Sequence, residues 1–226
     1  SSGGTAVLHD NDTPTNPADD FVRFTPTENL CGPATGGYDY TVSDGIADDI
    51  GHVTVDLTCV NDPPEGADNT VTMQQDTVYT FDAADFPFTD PNDDPPDDFD
   101  AVQITTLPLD GQLRLGGSPV NEDDFVSVAD LDGLTFEPVA GASGTGYATF
   151  DFKVQDDGGT TNGGVDLDPS ANTLTIDVTP NNPPVADDDT VTGTEDQDLD
   201  TPVSVLLDGD DDPDGDPLTV TDVSAS

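Results

Sequence analysis

Apolar residues recur at every second position in several short stretches of the chain. The clearest are Tyr38, Tyr40 and Val42; Val53, Val55 and Leu57; Phe150, Phe152 and Val154; and Leu174, Ile176 and Val178. Polar residues fill the positions between them, and Gly, Asp, Asn or Pro closes each run. Side chains of a strand point alternately to its two faces, so this period predicts half-buried antiparallel strands. Helical periodicity is nearly absent. Short strands separated by turn residues predict an all-β fold built from antiparallel β-sandwiches. Phe81, Phe86, Phe88, Phe99, Phe125 and Phe136 read as core and edge packing.

The pattern repeats. Phe24-Thr25-Pro26 returns as Phe136-Glu137-Pro138, and Tyr38, Tyr40, Val42 and Asp44 return as Phe150, Phe152, Val154 and Asp156. Asn61-Asp62-Pro63-Pro64 returns as Asn181-Asn182-Pro183-Pro184, and Thr70-Val71-Thr72 as Thr190-Val191-Thr192. Asp90-Pro91-Asn92-Asp93-Asp94-Pro95 matches Asp212-Pro213-Asp214-Gly215-Asp216-Pro217. The offsets run from 112 to 122 residues, too long for a solenoid and suited to a string of sandwich domains. Residues 63–182 read as one complete repeat. Residues 1–62 match only its later part, and residues 183–226 only its beginning. Placing the C-terminal part before the N-terminal part makes a second full unit.

A half sandwich exposes a sheet edge and half a core. Three readings follow: one period of a longer tandem polypeptide, subunits that donate C-terminal strands to a neighbour's N-terminal part, or boundaries without structural meaning. Strand addition is an established recognition mode, and a head-to-tail contact that does not close makes a filament.

Charge alters the picture. The 226 residues carry 49 Asp and Glu against Arg23, Arg114 and Lys153, a formal net charge of −46. Such a charge opposes compaction in dilute salt, so bound divalent cations or a salty habitat must offset it. It excludes nucleic acid and anionic membranes as partners. No apolar run reaches the ~18–20 residues of a membrane span, which excludes direct membrane insertion, and no signal peptide is visible.

Several motifs together resemble a known family. They are Val60-Asn61-Asp62-Pro63-Pro64, Thr194-Glu195-Asp196, Asp212-Pro213-Asp214-Gly215-Asp216-Pro217-Leu218 and Tyr40-Thr41-Val42-Ser43-Asp44-Gly45. The chain resembles, over nearly its whole length, the bacterial cadherin-like repeats of large RTX-type adhesins and other surface fibre proteins. The resemblance implies tandem Ig/cadherin-like sandwiches, calcium at or near the linkers, and secretion. The middle repeat departs from the pattern, with Gln75-Asp76 where Glu195-Asp196 stands and Asn92-Asp93-Asp94 in place of Asp-Gly-Asp.

Calcium takes six to eight oxygen ligands in a flexible geometry, which alternating carboxylates on a tight turn supply. Asp212, Asp214 and Asp216 form one such set, with Glu195 and Asp196 able to complete it. Asp90, Asn92, Asp93 and Asp94, with Asp76, form the analogous set in the middle repeat. Asn61, Asp62, Asn181 and Asn182 stand at the linkers, within reach of Asp44, Asp156 and Asp157. Asp, Asn and Gly also favour turns without any metal. The runs Asp97-Asp98 and Asp187-Asp188-Asp189 read as solvated surface or linker.

Cys31 and Cys59 are the two cysteines and read as a disulfide closing a loop of about 29 residues, suited to an extracellular setting. Asn11-Asp12-Thr13 is a glycan-acceptor pattern at Asn11. His9 and His52 fall in separate strand-like stretches and read as surface or packing residues. No nucleophile elbow, phosphate loop or His-Glu-x-x-His is present, so an enzyme is not expected. The expected function is extracellular and mechanical: a calcium-stiffened fibre shaft or adhesin spacer whose partners are copies of itself or adjacent repeats. The second class is a glycan- or surface-binding module, for which residues 83–100 are the candidate stretch.

Overall fold

A computed structural model describes residues 3–9 and 20–224. Among the described residues the structure is all-β apart from three 3-10 turns and one short α-helix. In the N-terminal part, β1 (Gly4–His9) pairs with β2 (Phe21–Pro26), and β3 (Gly32–Ser43) pairs with β4 (Asp48–Leu57), both antiparallel. Among the described residues these four strands pair only among themselves.

The middle part forms a sandwich-like unit. One sheet has five strands: β12 (Phe125–Ser127), β9 (Phe99–Ile104), β14 (Gly144–Asp156), β15 (Asn172–Thr179) and β6 (Asn69–Gln74), in that spatial order. The other has four: β11 (Ser118–Pro119), β10 (Gln112–Leu115), β13 (Leu134–Glu137) and β7 (Tyr79–Thr80). A further short pair, β5 (Glu65–Gly66) with β8 (Phe88–Thr89), lies at the entry of the chain into this unit.

Alternation in β14 buries Ala148, Phe150, Phe152, Val154 and Asp156 on one face. Leu174, Ile176 and Val178 of β15 continue that face, and Leu113, Leu134 and Phe136 oppose it from the second sheet. Phe81 and Phe86, on either side of the 3-10 turn Ala83–Asp85, close the core. Their rings meet Phe150 and Phe152 edge-on at 5.9 and 5.0 Å. The β6–β15 pair is parallel, so the linker before β6 and the one after β15 leave opposite ends of the sandwich.

Among the described residues, every buried hydrophobic side chain lies between Val71 and Val178. Val7, Leu8, Phe21, Val22, Tyr40 and Val42 of the N-terminal strands are exposed. Nevertheless β3 and β4 repeat the register of β14 and β15. Gly36, Tyr38 and Tyr40 face Val55, Val53 and Gly51, as Ala148, Phe150 and Phe152 face Ile176, Leu174 and Asn172. Even the irregularity recurs, between Gly32 and Gly36 as between Gly144 and Ala148. Gly36 is needed because a Cβ there would meet the Phe24 ring.

A disulfide joins Cys31 to Cys59, with Cα atoms 4.9 Å apart. It ties the start of β3 to the chain just past β4, where little core exists to do so. Closing that loop stabilises by about 3–4 kcal/mol on chain entropy.

The C-terminal part echoes the start of the sandwich. Val185 bridges Asp211 antiparallel as Glu65 faces Thr89, and helix α1 (Val203–Leu206) stands where the Ala83–Asp85 turn stands. Residues 190–192 and 218–224, which repeat or extend strand patterns, are without strand structure here. A strand needs a ladder partner, and none of the described chain lies beside them. The glycan-acceptor Asn11 lies outside the described residues.

Phe152 is fully buried and meets Phe86. Phe152→Ala is expected to cost about 3–5 kcal/mol, measured by denaturant unfolding of the sandwich.

Candidate metal centre

The face of β14 ends on a carboxylate. Asp156 follows Val154 in the core-facing register and is 2% exposed. Its Oδ1 accepts from Asn61 Nδ2 at 2.8 Å and from Gly158 N at 3.0 Å, while Oδ2 is buried without a partner. The 90–97 loop packs against the same end. Asp90 is 6% exposed; its Oδ2 accepts from Asp97 N at 2.6 Å, and its Oδ1 is likewise buried and unpartnered. Oxygens of Asp90, Asp93 and Asp97 lie within 4.8 Å of one another. Asn61 Oδ1 is a third buried oxygen with no hydrogen bond, and it and Asp97 Oδ2 crowd the spot a Cβ on Gly158 would fill.

These groups come from four segments. The 61–62 linker supplies Asn61, and Asp62 N donates to Asp93 Oδ2 at 2.8 Å. The loop supplies Asp90, Asp93 and Asp97, β14 supplies Asp156, and the turn after β14 closes the site. Glu28, from the hairpin side of the N-terminal part, acts on Asp62.

Electrostatics here are unfavourable as they stand. Burial raises the Asp156 carboxyl above its ordinary value; its bonds to Asn61 and Gly158 oppose that, and Asp90 and Asp97 add to it. Burial and then Asp93 raise Asp62 and Asp97 as well. Two like charges at this spacing repel by about 3 kcal/mol at an effective dielectric near 20. No basic side chain offsets them. Arg114 bonds Gln112 and Gly117 and sits 3.7 Å from Glu137, Lys153 donates to the Pro169 carbonyl, and Arg23 lies over the Phe21 ring.

Asp168 shows the contrast. It too is buried, which pushes its carboxyl up, but Gly66 N, Ser170 N, Asn172 Nδ2 and Ser170 Oγ all donate to it and hold it low. Asp168 is a satisfied structural carboxylate. Asp90 and Asp156 are left with bare oxygens.

The residues singled out by sequence distribute as follows. Asp90, Asp156, Asn61 and Asp62 gather at this end of the sandwich. Asp93 and Asp97 join them, at a spacing wider than the alternation of a tight turn. Asn92 and Asp94 project outward and line a groove with Pro26, Leu30 and Leu57 of the N-terminal strands. Asp76 stands at the far end, in a left-handed turn, accepting from Gly141 N at 2.7 Å. Asp196 occupies the matching left-handed position, and it and Glu195 are exposed and apart from the 212–216 loop contacts. Asp212 Oδ1 accepts from Asp214 N and Asp216 N. Asp214 Oδ2 accepts from Asn182 N, one position earlier in the matching loop than the Asp93 that accepts from Asp62 N, and Asp216 accepts from Gln74 Nε2. Asp44 is exposed; its carboxylate accepts from Ala47 N and Ile46 N, which lower it.

Other candidates are quiet. His52 bonds Asp39 on the surface, and His9 stacks on Phe21. In the 83–100 stretch Phe86 is buried, while Phe88 and Phe99 stack on each other at 4.9 Å. Among the described residues, no helix is long and apolar enough to cross a membrane. No family model, curated protein or solved structure matches the chain.

Raised carboxyl values carry a sign. Where the folded state holds protons more tightly, stability falls as pH rises from the ordinary 3.8 through the raised values. Asp156→Asn keeps an acceptor for Asn61 and Gly158 and puts a donor where Oδ2 is bare. In chelator near neutral pH this variant is expected to be more stable than the parent, with a flatter decline as pH rises above 3.8. Denaturant titrations at several pH values check both.

Proposed function

We propose that the chain is an extracellular structural protein, a fibre shaft or adhesin spacer of tandem Ig/cadherin-like sandwiches stiffened by calcium at the linkers. The single observation behind this is the trio of buried, unpartnered oxygens of Asn61, Asp90 and Asp156 beside Asp93 and Asp97. All donors in the set are oxygens, which suits a hard divalent ion whose remaining positions water fills. Calcium there would neutralise charges that no side chain balances.

The location gives the ion a mechanical role. Asn61 belongs to the linker, the charge of Glu28 in the β2–β3 turn raises Asp62, and the other ligands belong to the sandwich. An ion held among them ties the linker to the sandwich and removes a hinge. The cadherin-like motifs fit this reading, as does the disulfide, which oxidising compartments favour.

Asp97→Asn is expected to weaken calcium binding by roughly 10- to 100-fold, as loss of metal-site partners does elsewhere, measured by calorimetric titration. In the parent, solution scattering should report a narrower spread of maximum dimension in calcium than in chelator. Equal profiles, or no calcium uptake by the parent, would sink the proposal.

A further inference from the structure

The N-terminal strands present an open face. Leu8, Val22, Tyr38, Tyr40 and Val53 line a cavity of about 620 Å³ between the β1–β2 and β3–β4 pairs. Among the described residues no strand lies along the free edge of β3 or beside β4 on its outer edge. In the middle sandwich the matching positions are covered. There β6 runs parallel to β15, with Val71 beside Ile176. Tyr79 of β7 faces Phe136, Phe86 packs on Phe152, and β9 lies along β14 with Ile104 facing Phe152.

Each covering element has a counterpart in the C-terminal part. Val191 corresponds to Val71, Leu199 to Tyr79 and Leu206 to Phe86, and residues 218–224 follow the 212–217 loop as β9 follows the 90–95 loop. Val191, Leu199, Val220 and Val223 are exposed as the chain stands. The two parts are therefore the lock and the key of one sandwich, and the middle unit supplies the template for how they fit. The parallel β6–β15 pair sends the chain out at the end opposite to its entry. The segment thus leaves from the end of the sandwich opposite the one that the linker from β1–β4 enters.

We infer that residues 183–224 of one copy of this chain dock into the open β1–β4 face of a second copy. The template fixes the register. Val191 lies parallel beside Val55, because Tyr38 faces Val53 as Phe150 faces Leu174. Leu199 comes beside Phe24, and Leu206 covers Tyr40. Residues 218–224 run antiparallel along β3. The contact is head to tail and does not close, so repetition gives a filament. The fit rests on apolar pairing and register, and it goes beyond the ion-stiffened joint without depending on it.

The register can be read directly. The described cysteines are both in the disulfide, so only introduced thiols react with a cross-linker. The full chain carrying Val55→Cys and Val191→Cys is cross-linked in about 1 M NaCl, where the Debye length near 3 Å screens the acidic partners from each other. A ladder of dimers and higher species is expected. The control Val55→Cys with Thr190→Cys points its second thiol to the opposite face and should lose the ladder. A synthetic peptide of residues 183–224 in excess should shorten the ladder by occupying the open face. Cross-linked product at monomer mass only would mean that the segment folds back on its own strands, and would overturn docking to a second copy. No cross-link, or an equal ladder from the control, overturns the docking or its register. Calcium binding is scored on the same variants by calorimetry. A missing ladder beside intact calcium binding defeats the docking alone, and a ladder without calcium binding defeats only the ion reading.

Discussion

A carboxylate in a core-facing strand position is costly unless something neutralises it, and Asp156 holds that position at the end of β14. The strand places it there by period alone, directly after Val154. Around it the linker and the 90–97 loop converge, each contributing an oxygen, and the following turn donates the Gly158 N–H; none contributes a cation. Replacing one such group by an apolar residue would suit a sandwich that ended there. The arrangement makes physical sense when the end of the sandwich is a joint. The same charges that destabilise an isolated unit then become the means of fixing it to its neighbour.

The second organising constraint is the edge. A β-sheet with a free edge and a bare apolar face is an incomplete object. The N-terminal strands have the pairing, the irregularity and the aromatic face of β14 and β15 but almost none of their burial. The C-terminal segment has the bridge, the helical turn and the acidic loop of the sandwich's beginning but no sheet to join. Each lacks what the other has. The disulfide at Cys31 and Cys59 acts where the missing core would otherwise have acted.

Much of the fold was legible because period two survives wherever a face is buried. The runs at 38–42, 53–57, 150–154 and 174–178 all became strands. The two-residue strands β5, β7, β8 and β11 were not legible, since two residues carry no period. Nor was the parallel pairing of β6 with β15, which joins segments about a hundred residues apart and depends on packing rather than on any local signal. At the candidate site, Asn61, Asp90 and Asp156 could be read from repeats and strand ends. Asp97 could not: as a member of an acidic run it looked like solvated surface, yet the loop turns its backbone N–H onto Asp90 and half-buries it. Pro91, Pro95 and Pro96 break the alternation on which the tight-turn reading relied, so Asn92 and Asp94 point outward.

The charge and the open face pull in opposite directions, and their balance determines how the molecule can work. Docking residues 183–224 on the N-terminal strands brings together two acidic surfaces, a segment with no basic residue and a face whose charged neighbours are mostly carboxylates. Apolar burial favours the contact at every salt concentration, while repulsion fades as the Debye length shrinks. An assembly of this kind strengthens with ionic strength, the reverse of one held by complementary charge. Divalent ions at the proposed linker site would lower the charge that must be screened. Strand pairing then sets which residues meet, and on the proposed reading cations weaken the repulsion that opposes the meeting and stiffen the result. On the proposed reading, a polyanion with three basic residues has no internal route to that second effect and would draw its rigidity from ions in the medium around it.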